Sequence, residues 1–149
     1  LGDVYKRQVL PGPDYAGALL FFFENGKVAR VDLTAYKTTS NRRKLTGAYS
    51  DKSPLRRILR IDQDREGAVY STEPRCLIFH TALLAPKTTR TTQGVAVMNL
   101  KPKYHLDTAD YLEDTAIANQ SRYRVRAVPA AGALLRQEDT EERQIGLLD

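Results

Sequence analysis

Apolar residues occur along this chain in short runs of strand length, separated by turn-forming residues. The first two runs, Ala18–Phe23 and Lys27–Leu33, flank the segment Glu24-Asn25-Gly26. An Asn-Gly pair between two such runs is a strong hairpin signal, because both residues tolerate positive φ. The pattern therefore predicts an antiparallel hairpin that turns at Asn25 and Gly26.

The later runs extend this plan into two units. The first unit adds the predicted strands Leu45–Ser50 and Leu55–Ile61, with a turn over residues 51–54. The second unit contains four predicted strands, which are Ala68–Thr72, Cys76–Thr81, Val95–Leu100 and Tyr104–Leu106. Beyond it we predict a short helix at Ala109–Gln120 and an edge strand at Arg122–Arg126. Ordered structure is predicted to end at Pro129–Gly132.

The two units repeat at a spacing of 50 residues. A basic, Thr-rich segment stands at Tyr36–Lys44 and again at Pro86–Gly94. Other pairs at the same spacing are Ala18 with Ala68, Leu33 with Leu83, Ala35 with Ala85 and Leu45 with Val95. A period near 50 residues is typical of propeller-type blades. Because blades bury their faces against one another and about three or more are normally needed for stability, we expect further repeats outside this sequence.

These patterns predict an all-β fold of about two four-stranded blades, followed by a partly helical or disordered C-terminal tail. The predicted boundaries are residues 9–66 for the first blade, 67–116 for the second and 117–149 for the tail with its acidic end. Residues 1–8 contain no Met and are similar to one reading frame of a sequencing adaptor. We therefore expect those eight residues to be a non-native addition.

Charge is distributed unevenly along the chain, whose formal net charge is +5. Residues 27–60 include ten basic and two acidic side chains, and residues 87–103 include four basic side chains and no acidic one. Residues 137–149 include five acids and one Arg. A basic body with an acidic tail is common among nucleic-acid-binding proteins. The single Cys excludes an internal disulfide, and no apolar run approaches the roughly 18 residues that span a bilayer.

The two basic segments are the strongest candidates for a binding site. Lys and Arg neutralise phosphates and release counterions, while Thr hydroxyls and backbone N–H groups bond to phosphate oxygens without reading the bases. The predicted DNA-binding residues are Lys37, Thr38, Arg42, Arg43 and Lys44 in the first segment and Lys87, Thr88, Arg90 and Thr91 in the second. Arg56, Arg57 and Arg60, in a predicted strand, are candidates of second rank.

No group of residues has the spacing of an active site. His80, His105 and Cys76 fall short of the three or four ligands that a zinc site needs at characteristic spacing. The alternating carboxylates of residues 62–66 surround Arg65, which favours a solvated turn over a cation site. We predict no catalytic residue and no metal ligand in this chain.

Four segments in the same order resemble a known family. They are Glu24-Asn25-Gly26-Lys27-Val28-Ala29, Asn41-Arg42-Arg43-Lys44-Leu45, Ala48-Tyr49-Ser50-Asp51-Lys52-Ser53-Pro54-Leu55 and Arg90-Thr91-Thr92-Gln93-Gly94-Val95. The sequence resembles the C-terminal region of the bacterial type IIA DNA topoisomerase A protein, a group that includes gyrase A and its topoisomerase IV counterpart. The resemblance covers about Asp14 to Gly132, and Thr91–Val95 matches the repeated blade signature best.

This resemblance implies an incomplete β-pinwheel, a propeller-like arrangement whose basic rim bends or wraps double-stranded DNA. It implies that this fragment carries no catalytic site and no cofactor. In the resembled parent, an ATP-dependent isomerase of DNA topology, a tyrosine of an upstream domain cleaves DNA, a B subunit hydrolyses ATP and Mg²⁺ is required. The implied partners are DNA, the rest of a homodimeric A subunit and the B subunit, in the bacterial cytoplasm with the chromosome and away from membranes. The glycine-rich basic box of gyrase does not occur in the sequence, so supercoiling and decatenation both stay open.

One alternative interpretation needs no DNA. A propeller-type protein-interaction module with the same basic rim would bind an acidic protein partner. A catalytic fragment of another enzyme class is a third interpretation, which the lack of any catalytic constellation disfavours.

Overall fold

The computed structural model describes residues 17–36, 50, 52–89 and 91–140. It contains eight strands, which are β1 (Ala18–Phe23), β2 (Lys27–Asp32), β3 (Leu55–Ile61), β4 (Glu66–Ser71), β5 (Arg75–His80), β6 (Val95–Ala96), β7 (Leu106–Tyr111) and β8 (Ala133–Leu134). The strands form two four-stranded antiparallel sheets in the orders β3-β1-β2-β6 and β7-β4-β5-β8. The predicted all-β class with two four-stranded sheets is confirmed.

Both sheets are built in the same way, although the hairpin β4–β5 follows the hairpin β1–β2 at a spacing of 48 residues and not at the 50 residues of the sequence repeat. A central hairpin, β1–β2 or β4–β5, pairs on one side with a strand that follows it, β3 or β7. The register of that pairing shifts at Phe22/Phe23 in the first sheet and at Tyr70/Ser71 in the second. A strand of two residues, β6 or β8, completes the other side.

The predicted hairpin at Asn25 and Gly26 is present. Of the two residues, Gly26 alone has a positive φ, of 86°, and its N–H donates to the Phe23 carbonyl at 3.0 Å. A three-residue loop that ends in a left-handed glycine is a common hairpin connection, and it matches the twist of the flanking strands. The glycine therefore sets this turn, while Asn25 accepts a bond from the Lys27 N–H through its side chain.

The outermost strand of each sheet comes from the sequence that follows the unit. The prediction that Val95–Leu100 belongs to the second blade is wrong, because β6 pairs with β2 in the first sheet. In the same way, β8 lies within the predicted tail and pairs with β5. The strand predicted at Tyr104–Leu106 overlaps the start of β7 at Leu106, and β7 does belong to the second sheet. The pairing of β6 with β2 and of β8 with β5 supplies partners to backbone groups that would otherwise stay unpaired at the sheet edge.

Two further expectations about the C-terminal part are wrong. Ala109–Gln120 does not form an α-helix, since its first residues belong to β7 and the rest includes short 3₁₀ turns. Pairing of β7 with β4 satisfies the backbone and buries Leu106 and Ala109, which outweighs the local helical pattern. Order also continues past Gly132, into β8 and a 3₁₀ turn at Gln137–Asp139.

The two sheets stack face to face over a shared core. Leu20, Phe22 and Val28 of the first sheet lie in one buried cluster with Leu77 and Phe79 of the second. The rings of Phe22 and Phe79 meet edge to face, with centroids 6.4 Å apart. Burial of such side chains is the main force that joins the two sheets.

Candidate nucleic-acid interface

The second basic segment lies along the outer edge of the first sheet. Lys87 stands beside Val31 of β2, where its N–H donates to the Arg30 carbonyl at 2.9 Å and its carbonyl accepts from the Asp32 N–H at 2.8 Å. The chain returns to the same edge at β6, beside Lys27 and Val28. Residues 87–94, which we call the rim loop, are therefore fixed at both ends to one sheet edge.

A glycine makes the second attachment of the rim loop possible. Gly94 has a φ of +82°, and a Cβ built on it would lie 2.2 Å from the Val28 carbonyl oxygen. A residue with a side chain would clash with the backbone of β2 and would be strained at this φ. Gly132, with a φ of +75°, occupies the same place before β8. The rim loop can therefore rejoin the edge of β2 because residue 94 is a glycine.

Most of the described residues of the rim loop are exposed to solvent. Lys87, Thr88 and Thr91 are exposed. Among the described residues, no carboxylate lies within ion-pair distance of the Lys87 ammonium. The loop sequence itself contains no acid. This arrangement leaves a cation and several hydroxyl groups available to an anionic ligand.

The second-rank arginines lie at the opposite edge of the same sheet, on β3. Arg56 contacts Asp107 at 3.3 Å and Glu24 at 3.4 Å, and its Nε donates to the Asp107 carbonyl at 3.0 Å. Arg57 lies 3.6 Å from Asp110. Because Asp107 and Asp110 belong to β7, these contacts join the inner edges of the two sheets.

Arg60 also has a carboxylate neighbour, Asp62, at 3.5 Å. Each β3 arginine is thus paired with at least one acid, whereas the described cation of the rim loop is not. The structure separates the predicted binding residues into an outer and an inner group. The remaining predicted residues, Lys37, Thr38, Arg42, Arg43, Lys44 and Arg90, lie outside the described residues.

Exposed cations that the sequence pattern did not assign to a site include Lys103 and Arg126, together with Lys52 and Arg136. Lys103 follows β6 in the turn before β7, and Arg126 follows the segment that pairs with β5. Neither lies within ion-pair distance of a carboxylate among the described residues. Lys103 belongs to the acid-free window of residues 87–103, which was the available signal. Arg126 had no such signal, because its position depends on the pairing of Arg124 with Ile78.

The described side chains that could bind a metal or act as nucleophiles form no metal-binding group, and Cys76 is buried. Within those residues, no three His, Cys, Asp or Glu side chains converge as a metal site would require. Burial raises the pKa of the Cys76 thiol to about 12, so this thiol stays protonated at neutral pH. The Tyr111 hydroxyl donates to the Arg60 carbonyl at 2.5 Å. In this same part of the chain, no helix is long and apolar enough to cross a membrane.

Comparison with solved structures identifies the fold. The chain is similar to the crystal structure of the C-terminal domain of DNA topoisomerase IV, with a TM-score of 0.68 and 20% identity over 82% of this chain and 42% of that one. It is also similar to the DNA gyrase A C-terminal domain, with a TM-score of 0.62 and 21% identity over 80% of this chain and 43% of that one. This chain has the fold of the C-terminal domains of topoisomerase IV and gyrase A.

A third similar structure is the E. coli ParC C-terminal domain, with a TM-score of 0.52 and 15% identity over 70% of this chain and 42% of that one. The expected pinwheel fold is therefore confirmed, and the chain spans about two fifths of the length of the domains it matches. No family model matches the sequence, and no curated protein does. In the first sheet, the rim loop follows the edge on the β2 side, and β3 forms the opposite edge.

Proposed function

We propose that this chain binds double-stranded DNA along its outer blade edges, as part of the C-terminal domain of the A protein of a type IIA topoisomerase. One observation carries the proposal. In a fold shared with topoisomerase IV and gyrase A domains, the rim loop joins a sheet edge at both ends, most of its described residues are exposed, and Lys87 has no carboxylate partner among the described residues. Its task would be to hold a bent duplex where the strand-passage core of the parent enzyme can act on it.

The chemistry of the rim loop suits the phosphate backbone. The Lys87 ammonium neutralises a phosphate, and the hydroxyls of Thr88 and Thr91 donate to phosphate oxygens. Arg90 and the first basic segment, Lys37 to Lys44, add further cations and hydroxyls in this proposal. Bending a site of 20–30 base pairs costs about 1–6 kcal/mol, so several such contacts are needed to offset it.

The β3 arginines contribute less to DNA affinity than the rim loop does. A phosphate would have to compete with Asp107 for Arg56 and with Asp110 for Arg57. Exchanging one anionic partner for another gains less than neutralising a phosphate with an unpaired cation. Arg56, Arg57 and Arg60 therefore stay in second rank as DNA contacts.

The proposal extends to the parent enzyme. The proposed partners are the rest of a homodimeric A subunit and a B subunit that hydrolyses ATP, with Mg²⁺ used outside this chain. The proposed location is the bacterial cytoplasm, on the chromosome. The competing function is binding of an acidic protein to the same basic edge.

Titration with duplex DNA at several salt concentrations tests the proposal. We expect two unrelated duplexes of about 30 base pairs to bind equally, with a log–log salt slope of about −4 to −5, corresponding to roughly five phosphate contacts. Fluorescence anisotropy between about 50 and 200 mM salt measures both quantities. A slope near zero would contradict DNA binding through phosphates. Displacement of the duplex by an equal concentration of polyglutamate would favour the acidic-partner function instead.

A further inference from the structure

A second loop joins a sheet edge at both of its ends, as the rim loop does. It spans residues 124–132, and we call it the second loop. It begins beside Ile78 of β5, where the Ile78 N–H donates to the Tyr123 carbonyl at 2.9 Å and the Val125 N–H donates to the Ile78 carbonyl at 2.8 Å. It ends at β8, which pairs with the first two residues of β5. The rim loop ends in the same way at β6, which pairs with the first two residues of β2.

Both loops return to their edge through a glycine. Gly132 has a φ of +75°, and a Cβ built on it would lie 2.5 Å from the Cys76 carbonyl oxygen. Gly94 has the same relation to the carbonyl oxygen of Val28, and Val28 and Cys76 are the second residues of β2 and β5. Gly132 follows Gly94 by 38 residues, whereas β5 follows β2 by 48. The two loops are therefore equivalent in the fold, although no constant sequence period relates them.

The second loop also contacts the chain that continues from the rim loop. That chain leaves the rim loop through β6 and then bonds to Ala130 of the second loop. The Asn99 N–H donates to the Ala130 carbonyl at 2.9 Å, and the Ala130 N–H donates to the Val97 carbonyl at 3.0 Å. The sheet edges that carry the two loops are therefore neighbours on one side of the molecule.

Arg126 is the cation that the second loop offers to a ligand. It is exposed, and no carboxylate of the described residues lies within ion-pair distance of it. Arg124 has a different role, because its Nε donates to one oxygen of Glu66 at 2.6 Å and its Nη2 donates to the other at 3.0 Å. This pair ties the start of the loop to β4. Arg124 thus holds the loop in place, and Arg126 is available to an anion.

We propose that the second loop is a further contact site for the phosphate backbone of double-stranded DNA, with Arg126 as its phosphate-binding cation, and that one duplex crosses both loops. The inference rests on the proposed function, because it extends the path of the duplex that the rim loop holds. Sheets that stack face to face lie about 10 Å apart, and duplex DNA rises about 3.4 Å per base pair. The two loops would therefore contact phosphates roughly three base pairs apart on one duplex.

Replacing Arg126 with alanine should weaken binding of a duplex of about 30 base pairs about three- to fivefold at 0.15 M salt, because one phosphate contact is lost. The log–log salt slope should become about one unit shallower. The charge-preserving variant Arg126→Lys should retain the wild-type slope, since neutralisation of a phosphate depends on charge. Anisotropy titrations at several salt concentrations measure both quantities, and circular dichroism checks that the sheets stay folded.

The matched control is Lys52→Ala. Lys52 is also exposed and has no carboxylate within ion-pair distance among the described residues, and it precedes β3 at the opposite edge of the first sheet. Its loss changes the net charge as much as the loss of Arg126 and should leave the slope unchanged. If Arg126→Ala keeps the wild-type slope, or if both variants lose the same amount, the second loop makes no specific contact and this inference is overturned.

The wild-type titration separates this failure from a failure of the proposed function. A wild-type slope near zero overturns both, whereas a slope of about −4 to −5 that Arg126→Ala leaves unchanged overturns the second loop alone.

Photo-crosslinking tests the contact directly. Ala127 is the exposed neighbour of Arg126, and a photoreactive maleimide at Ala127→Cys should crosslink to duplex DNA. The same reagent at Thr108→Cys, on β7 at the other edge of the second sheet, should give few crosslinks. Crosslinks from position 127 that do not exceed those from position 108 would also overturn the inference.

Discussion

Replacing Gly94 with alanine should lower the free energy of unfolding by about 2–4 kcal/mol and weaken DNA binding at the same time. Gly94 has a φ of +82°, where an alanine is strained. Its Cβ would lie 2.2 Å from the Val28 carbonyl oxygen and 2.6 Å from the Ala29 nitrogen. Since both atoms belong to the backbone of β2, either β6 must detach or β2 must move.

Gly67 provides the matched control for this prediction. A Cβ on Gly67 would meet its nearest atom, the Asp110 carbonyl oxygen, at 3.5 Å, which is ordinary van der Waals contact. Gly67→Ala should therefore change the free energy of unfolding much less than Gly94→Ala, although both substitutions add a single methyl group. Urea unfolding followed by circular dichroism measures the two values. Equal losses of unfolding free energy in the two variants would show that the pairing of β6 with β2 does not depend on the close approach at Gly94.

Removing the cations of the second basic segment, as Lys87→Ala with Arg90→Ala, should weaken binding of duplex DNA about tenfold at 0.15 M salt. Each lost phosphate contact should also make the log–log salt slope about one unit shallower, so the double variant should bind with a slope of about −2 to −3. Stability should change little, because the described side chain of the pair, Lys87, is exposed and forms no ion pair with a described carboxylate. Anisotropy titrations at several salt concentrations measure the slope.

The charge-preserving exchange Lys87→Arg with Arg90→Lys is the control for that variant. It keeps two cations in the rim loop and should retain the wild-type slope, since phosphate neutralisation depends on charge more than on side-chain shape. If the alanine variant keeps the wild-type slope as well, the phosphates contact another surface. Loss of binding in both variants would indicate a requirement for side-chain geometry that phosphate neutralisation does not explain.

Local signals in the sequence were sufficient to predict the hairpins. Gly26 ends the first one with a bond back to Phe23, and a turn at Glu73 and Pro74 connects β4 to β5. Pairing between distant segments could not be predicted in this way. The two residues of β6 pair with Lys27 and Val28, which lie far from them in sequence, and a run so short carries no period of its own.

The same limit explains the errors in the C-terminal part. The apolar spacing near Tyr111 fits a helix, and the pairing of this segment with β4 overrides it. Asp139 belongs to an acidic run in the sequence, where charge alone indicates a solvated tail. Its burial depends on donors 16 to 20 residues away, and the fold must form before they meet. Charge patterning thus indicated the rim loop but did not indicate the burial of Asp139.

Site-directed photo-crosslinking tests most directly whether DNA lies along the outer blade edge. A photoreactive maleimide can be attached at Thr88→Cys on the rim loop or at Thr108→Cys on β7, since both positions are exposed and Cys76 is buried. Thr108 lies on the inner edge strand of the second sheet and serves as the control. We expect DNA binding along the outer blade edge to give efficient crosslinks to duplex DNA from position 88 and few from position 108. Crosslinks from position 108 that equal or exceed those from position 88 would contradict it.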